Sequence, residues 1–234
     1  MSTSHSLIRV LSEFESRAHE LTAALASAGV QSSPYKISAE RVAPRAMASR
    51  MACARSLWFI APVPMDAFLR AGNRMAVVAA PALKPMLAAR ALFSCRDAIR
   101  RCIDRETRRA LSLSVGPMAF AALQEQMSIC PSGQALPDDL SVGALARQGW
   151  ASMLADGACA HATLRHMVEF GLVLADGGDV WRHALTSSES VFTQAQASGR
   201  RSDAAATGVA RTTVTDEFLS IAGRLFPEFQ WLFG

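Results

Sequence analysis

From Ser4 to Gly29 the apolar residues Leu7, Leu11, Phe14, Ala18, Leu21 and Leu25 recur in alternating steps of four and three, which lines them along one stripe of a helix. Ser4 or Ser6 can cap its start, and Gly29 followed by Ser32-Ser33-Pro34 ends it. A second helix is expected from near Ser38 through Met47, Met51, Ala54, Leu57 and Trp58. Pro62 and Pro64 stop it, and Pro44 is tolerated only in its first turns. Between Met65 and Pro85 the prolines and Gly72 permit only short helical pieces in a kinked crossing, of which Ala76 to Ala80 is apolar enough to be buried on all sides.

Met86 to Ile103 reads as one helix, with Leu87, Leu92, Cys95, Ile99 and Cys102 or Ile103 inward and Arg90, Asp97, Arg100, Arg101 and Arg105 outward. A helical hairpin follows: Asp104 caps a helix through Leu111 and Leu113, Gly116-Pro117 turns the chain, and Met118 to Met127 returns. Pro131 to Asp139 is rich in turn formers and reads as a loop. Ser141 opens a helix carrying Leu145, Trp150, Met153 and Leu154, which Asp156-Gly157 closes. Leu164, Met167, Val168, Phe170 and Leu172 belong to the next, which Gly177-Gly178 ends.

A helical stretch is expected around Val180, Trp181 and Leu185, extending toward Phe192. Residues 196–215 lack periodicity and read as a mobile connection, after which Asp216 caps a last amphipathic helix and an aromatic tail. No window alternates β-branched and polar residues, and no fixed-period repeat recurs, so the expected fold is all-α, an irregular helical bundle. The expected organisation is a bundle domain over 1–195, the connection 196–215 and the C-terminal helix and tail 216–234.

At 234 residues with half of them apolar, the chain can bury a sizeable core. The formal charge of +4 comes almost wholly from arginine, since Lys36 and Lys84 are the only lysines. Arg90, Arg96, Arg100, Arg101, Arg105, Arg108 and Arg109 form the best phosphate-binding candidate. Asp97, Asp104 and Glu106 are interspersed at helical spacing, which favours a solvated charged face over a phosphate contact surface. An acidic protein partner would be served equally well, and a small helical regulator binding nucleic acid through the arginines of 90–109 is the alternative function. The odd number of well-spread cysteines suggests a reducing compartment. Arg9, Glu13, Glu15, Arg17 and Glu20 interrupt any export signal, and the uncharged run Ala110 to Gln124 is too short and too broken at Gly116-Pro117 to span a membrane.

Candidate chemistry is sparse. Cys159, His161 and His166 lie close in sequence, but steps of two and five scatter them over different helix faces, so neither a metal nor another cofactor is expected. The sequence has no Gly-x-Ser-x-Gly elbow, no phosphate loop, and no extension of His19-Glu20 into a metalloprotease motif, so enzymatic activity is not expected. The tail after Asp216 carries Phe218, Phe226, Phe229, Trp231 and Phe233. It either folds back on its own core, the favoured reading, or docks into a partner's groove.

The stretch Ala82 to Phe170 resembles the accessory protein of the type III secretion sorting platform, the SctK type, including its Hrp-system members. One matching feature is Ile103-Asp104-Arg105-Glu106 through Arg109-Ala110-Leu111 and then Val115-Gly116-Pro117-Met118-Ala119-Phe120-Ala121, similar to the family's arginine-rich helix, glycine turn and following aromatic. The other is Leu145-Ala146-Arg147-Gln148-Gly149-Trp150 with Leu164-Arg165-His166, similar to its Gly-Trp helix and Leu-Arg run. The sequence departs from the family in continuing as Met167-Val168-Glu169-Phe170-Gly171, without an apolar Leu-Pro.

The resemblance implies a non-enzymatic cytoplasmic adaptor of a protein-transport machine used in virulence. Such an adaptor would link the cytoplasmic domain of the inner-membrane ring to the pod protein and be peripheral to the inner membrane through the apparatus. On that basis Arg147 and Trp150 are candidates for one contact face and Phe229, Trp231 and Phe233 for another, with Arg100, Arg101, Arg105 and Arg108 as a charged face. Trp150 reads equally as a core residue.

Overall fold

The computed structural model describes residues 3–31, 44–125, 134–177 and 213–233, and every regular element among them is helical. The expected starts and stops near Ser38, at Pro131 and at Gly178, the stretch from Val180 to Phe192 and nearly all of the 196–215 connection lie outside the described residues. Helix α1 (Thr3–Gln31) buries Val10, Leu21 and Leu25 and half-buries Leu11, Phe14 and Ala18, close to the predicted stripe. Helix α2 (Pro44–Trp58) starts with Pro44 at its first position, where the missing N–H costs nothing. It lies against α1, and its buried Trp58 donates its indole N–H to Thr22 Oγ1 at 3.2 Å.

Two 3-10 segments, Met65–Leu69 and Ala71–Val77, make the expected kinked crossing and bury Phe68, Met75 and Val77. Helix α3 (Ala80–Ser94) then begins well before the expected Met86. Pro81 sits in the first turn, where N–H groups have no intrahelical acceptor, and Pro85 removes a single bond near the start, so a well-buried helix absorbs both. The expected continuous helix to Ile103 breaks at Cys95, whose N–H bonds Leu92 O at 2.8 Å in a tightened turn. Helix α4 (Arg96–Arg101) follows on a new axis. Two side chains depart from expectation: Arg90, expected outward, is buried within α3, and Ile103 lies past the end of α4 and is 95% exposed.

Helix α5 (Arg105–Val115) is capped by Asp104, which accepts the Thr107 N–H at 2.7 Å, and helix α6 (Pro117–Glu125) returns antiparallel to it. Between them Gly116 adopts φ 88 and ψ 150, a conformation essentially closed to other residues. Helix α7 (Val142–Ala155) is capped by Ser141, and helix α8 (Ala162–Ala175) ends at Gly177 with φ 65, as the sequence predicts.

Helix α9 (Val214–Leu225) starts before Asp216. Its cap is Thr213, and Asp216 is the third residue of a reciprocal capping box, so the expected assignment of the cap to Asp216 is corrected. A 3-10 turn, Pro227–Phe229, and the short helix α10 (Gln230–Phe233) finish the chain.

The core is one continuous cluster with α3 at its centre. Its face Met86-Leu87-Ala88-Ala89 is wholly buried, and α7 lies along it in the most extensive contact between any two helices, with α4, α5, α6, α8 and α9 around. Gly149 makes that approach possible, because a Cβ there would overlap the Leu87 carbonyl oxygen and press on the backbone N of Ala91. Replacing Gly149 by Ala forces the two helices apart. We expect a loss of about 1–3 kcal/mol, read as a lower urea midpoint at unchanged slope; an unaltered midpoint would refute the close packing.

Candidate interaction surfaces

The run Arg90 to Arg109 divides between Arg96 and Arg100 into two environments. Upstream, Arg90 is 2% exposed. It donates from Nε to Thr215 Oγ1 at 2.8 Å, from Nη1 to Ser94 Oγ at 2.8 Å and from Nη2 to Asp156 Oδ2 at 3.0 Å. The same Asp156 oxygen accepts the N–H and the hydroxyl of Thr215 at 3.1 and 2.6 Å. Arg96 stacks over Phe93 at 4.1 Å and pairs with Glu217 at 3.0 Å. Arg90 therefore pins α9 to α3 and Arg96 pins it to the start of α4, and the Phe93 and Phe218 rings meet edge to face beside them, 5.7 Å apart. Sequence reasoning placed Arg90 outward; its flanking Ala88-Ala89 and Ala91-Leu92-Phe93 were the signal that it is enclosed.

Downstream, Arg100, Arg101, Arg105, Arg108 and Arg109 are all exposed, and none takes part in an ion pair within 4.0 Å among the described residues. Asp104, expected to pair with them, accepts hydrogen bonds from Thr107, which hold its carboxyl below the usual range. Arg101 bonds Asp97 O, and Arg108 reaches Cys102 O, Gln124 and the Phe120 ring. Large apolar side chains that sequence reasoning missed are exposed on and beside the same helix: Ile103, and Leu113 and Met118 at 77% and 69% exposed. Their signal was positional, since Leu113 falls on the Arg105–Arg109 face of α5.

The remaining candidates sit as follows. Arg147 is exposed and lies 3.8 Å from Asp176. Trp150 is buried, with its indole N–H near the Glu169 carboxylate but not closing a hydrogen bond. Burial raises the Glu169 carboxyl, against the opposing pull of Arg165 and that indole.

The aromatic tail folds back on its own bundle. Phe233 is buried, Phe229 and Trp231 are half-buried, Arg9 lies over the Trp231 ring at 4.1 Å, and Arg74 donates to Leu232 O at 2.7 Å. Cys159 is buried, which pushes its thiol up to about 12, and no group of His, Cys, Asp and Glu among the described residues could hold a metal. An open cleft of about 220 Å³ lies between Asp66, Arg70, Asn73 and His161. It is below the size of ordinary small-molecule sites, and its Asn73 and His161 are tied to backbone carbonyls.

These features define an all-helical protein with one core among the described residues, in which no described helix is long and apolar enough to cross a membrane. The family model described as bacterial type III secretion protein (HrpB4) matches residues 10–228, and the chain belongs to that family. No curated protein and no solved structure matches it. The resemblance over Ala82 to Phe170 thus holds at the level of the secretion system.

Two predictions follow from the buried latch. Burial raises the Asp156 carboxyl, but the bonds from Thr215 and Arg90 outweigh it and leave the group below its ordinary value. A lowered acid stabilises the fold fully above the unfolded value of about 3.9, and that contribution disappears as pH falls through the folded value. Asp156→Ala, which leaves Arg90 buried without its partner, is expected to cost about 3–5 kcal/mol at neutral pH. The gap from wild type should narrow below about pH 4, and parallel stability–pH curves would refute the pairing.

Deleting the chain from Thr213 onward exposes the partners of Phe218, Leu219, Leu225 and Leu232, each contributing about 1.5–3 kcal/mol of burial to a domain stabilised by about 5–15 kcal/mol. The truncated chain is expected to lose its cooperative thermal transition in calorimetry. A retained transition would show that α9 is dispensable.

Proposed function

We propose that the protein is a non-enzymatic adaptor on the cytoplasmic side of a bacterial type III secretion apparatus, linking the cytoplasmic domain of the inner-membrane ring to the pod protein of the sorting platform. The family match over residues 10–228 carries this reading, and the SctK-type resemblance of the hairpin and the Gly-Trp helix narrows it to the sorting platform. The architecture supports it. A bundle whose helices share one core holds separate surfaces at fixed distance and orientation, which an adaptor between two large assemblies requires.

In this reading Arg147 serves one contact face, with Trp150 buried on the same helix, and the exposed edges of Phe229 and Trp231 serve another, with Phe233 anchoring the tail beneath. The purified chain, mixed with the pod protein and the ring's cytoplasmic domain from the same secretion gene cluster, is expected to elute as a ternary complex in size exclusion with light scattering. Coelution with neither partner sinks the adaptor role, and binding to one alone sinks the linking role. Phe229→Ser with Trp231→Ser is expected to weaken one of the two contacts by about tenfold or more while thermal unfolding stays cooperative.

A further inference from the structure

The outer face of α5 combines two features that seldom share exposed surface. Arg105, Arg109 and Leu113 follow one another at intervals of four, so they line one side of the helix over about 12 Å. Ile103 is 95% exposed just before the helix, and Met118 is 69% exposed just past the Gly116 turn. Arg100 and Arg101 at the end of α4 extend the positive charge beside Ile103. Glu106 is the one carboxylate of α5, and Asp104 is engaged as its cap, so cationic groups dominate the face. Water can solvate the arginine charges, but it gains nothing from three large apolar side chains near those arginines.

We infer that this face is a docking surface for an acidic amphipathic helix of a partner protein, whose carboxylates meet Arg105 and Arg109 and whose apolar side chains cover Ile103, Leu113 and Met118. The inference rests on the adaptor reading and adds the chemistry that one partner presents.

The complementarity is specific on both counts. Guanidinium forks match carboxylates in bidentate geometry. The apolar groups stand at the two ends of the arginine stripe, so an occupant needs nonpolar residues about three turns apart with acids between them. A second copy of this chain would set arginine against arginine. Nucleic acid would satisfy the charge but leave Ile103, Leu113 and Met118 uncovered, and among the described residues no exposed aromatic stands on the face to stack on bases. An anionic membrane favours a continuous apolar stripe flanked by cations, whereas here the cations lie in the middle.

The test uses the full-length chain and a designed helical peptide of about 16 residues, with leucines on one stripe and glutamates beside them, together with a counterpart carrying lysines in place of the glutamates. By fluorescence anisotropy the acidic peptide is expected to bind at least about tenfold more tightly than the basic one. Arg105→Glu with Arg109→Glu, and separately Ile103→Ser with Leu113→Ser, are each expected to reduce that binding about tenfold or more. All four side chains are exposed, so the variants should keep the wild-type thermal transition.

Equal binding of the two peptides, or indifference to either double variant, overturns the inference. So does tighter binding to a short DNA duplex or to phosphatidylserine-containing vesicles that the arginine reversal abolishes; either result reassigns the face. The same variants are then mixed with the pod protein and the ring's cytoplasmic domain. If wild type forms those complexes and no variant changes them, the α5 surface falls while the adaptor role stands. If the peptide results hold but neither complex forms, the adaptor role falls and the docking surface stands.

Discussion

The close approach of α3 and α7 is the constraint on which the other helices depend. Backbone meets backbone at Gly149 and Leu87, and the small residues Ala88, Ala89 and Ala91 keep the flanks of α3 narrow enough for neighbours on several sides. A helix enclosed in this way gains dispersion contacts around its whole circumference, and it tolerates two prolines near its start because packing, not propensity, holds it helical. Gly72 repeats the device at the periphery, where a side chain would collide with the Ala158 carbonyl. The 3-10 crossing and the α7–α8 connection are thereby locked against each other.

Enclosing α3 has an electrostatic consequence. Its last turns carry Arg90, and α4 opens with Arg96, so two guanidiniums that cannot give up their charge lie inside the bundle. They are tolerable only because α9 brings Thr215 and Glu217 and the end of α7 brings Asp156 to the same place. A buried ion pair adds little net stability over an apolar alternative, but it penalises every arrangement that leaves its charges unmet. The latch therefore fixes which helix closes the core and in what register, and it makes the C-terminal helix part of the bundle.

The sequence made most of the helices legible and left their environments harder to read. The stripe in α1, the Asp104 and Ser141 caps and the Gly116-Pro117 turn are local signals, and they specify local structure. Pro85 misled about the start of α3, because a proline's cost depends on how many hydrogen bonds it removes, and near a helix start that number is small. The break at Cys95 was invisible to periodicity, since apolar residues continue on both sides of it. Arg90 was misplaced because α3 is enclosed by neighbours, and Ile103 because α4 ends at Arg101, before it. Asp216 was legible as a helix-start residue, but its partner in the capping box, Thr213, is a polar residue in a segment that otherwise reads as structureless, so the cap was placed three residues late. Of the candidate contact residues, Arg147 and the exposed arginines were legible as charged positions; Leu113 could have been read as exposed from its place on the Arg105–Arg109 face, whereas the exposure of Ile103 follows from the end of α4 at Arg101.

The arginine-rich run shows how a single compositional feature can serve opposite ends. Arg90 and Arg96 have acidic partners supplied by distant parts of the chain, so their charge is spent on holding the fold. Farther along, Arg100, Arg105 and Arg109 stand on a surface where no such ion pair forms among the described residues. The arginine fork is weakly hydrated for a cation and rigid, so an unpaired one on a well-ordered helix loses less on binding than a lysine would. Leu113 and Ile103 on the same surface add apolar area that the fold itself does not use. A rigid helix with charge and apolar area both unspent has its favourable interactions still to make, and a partner that supplies carboxylates and nonpolar side chains in the same geometry is the economical way to make them.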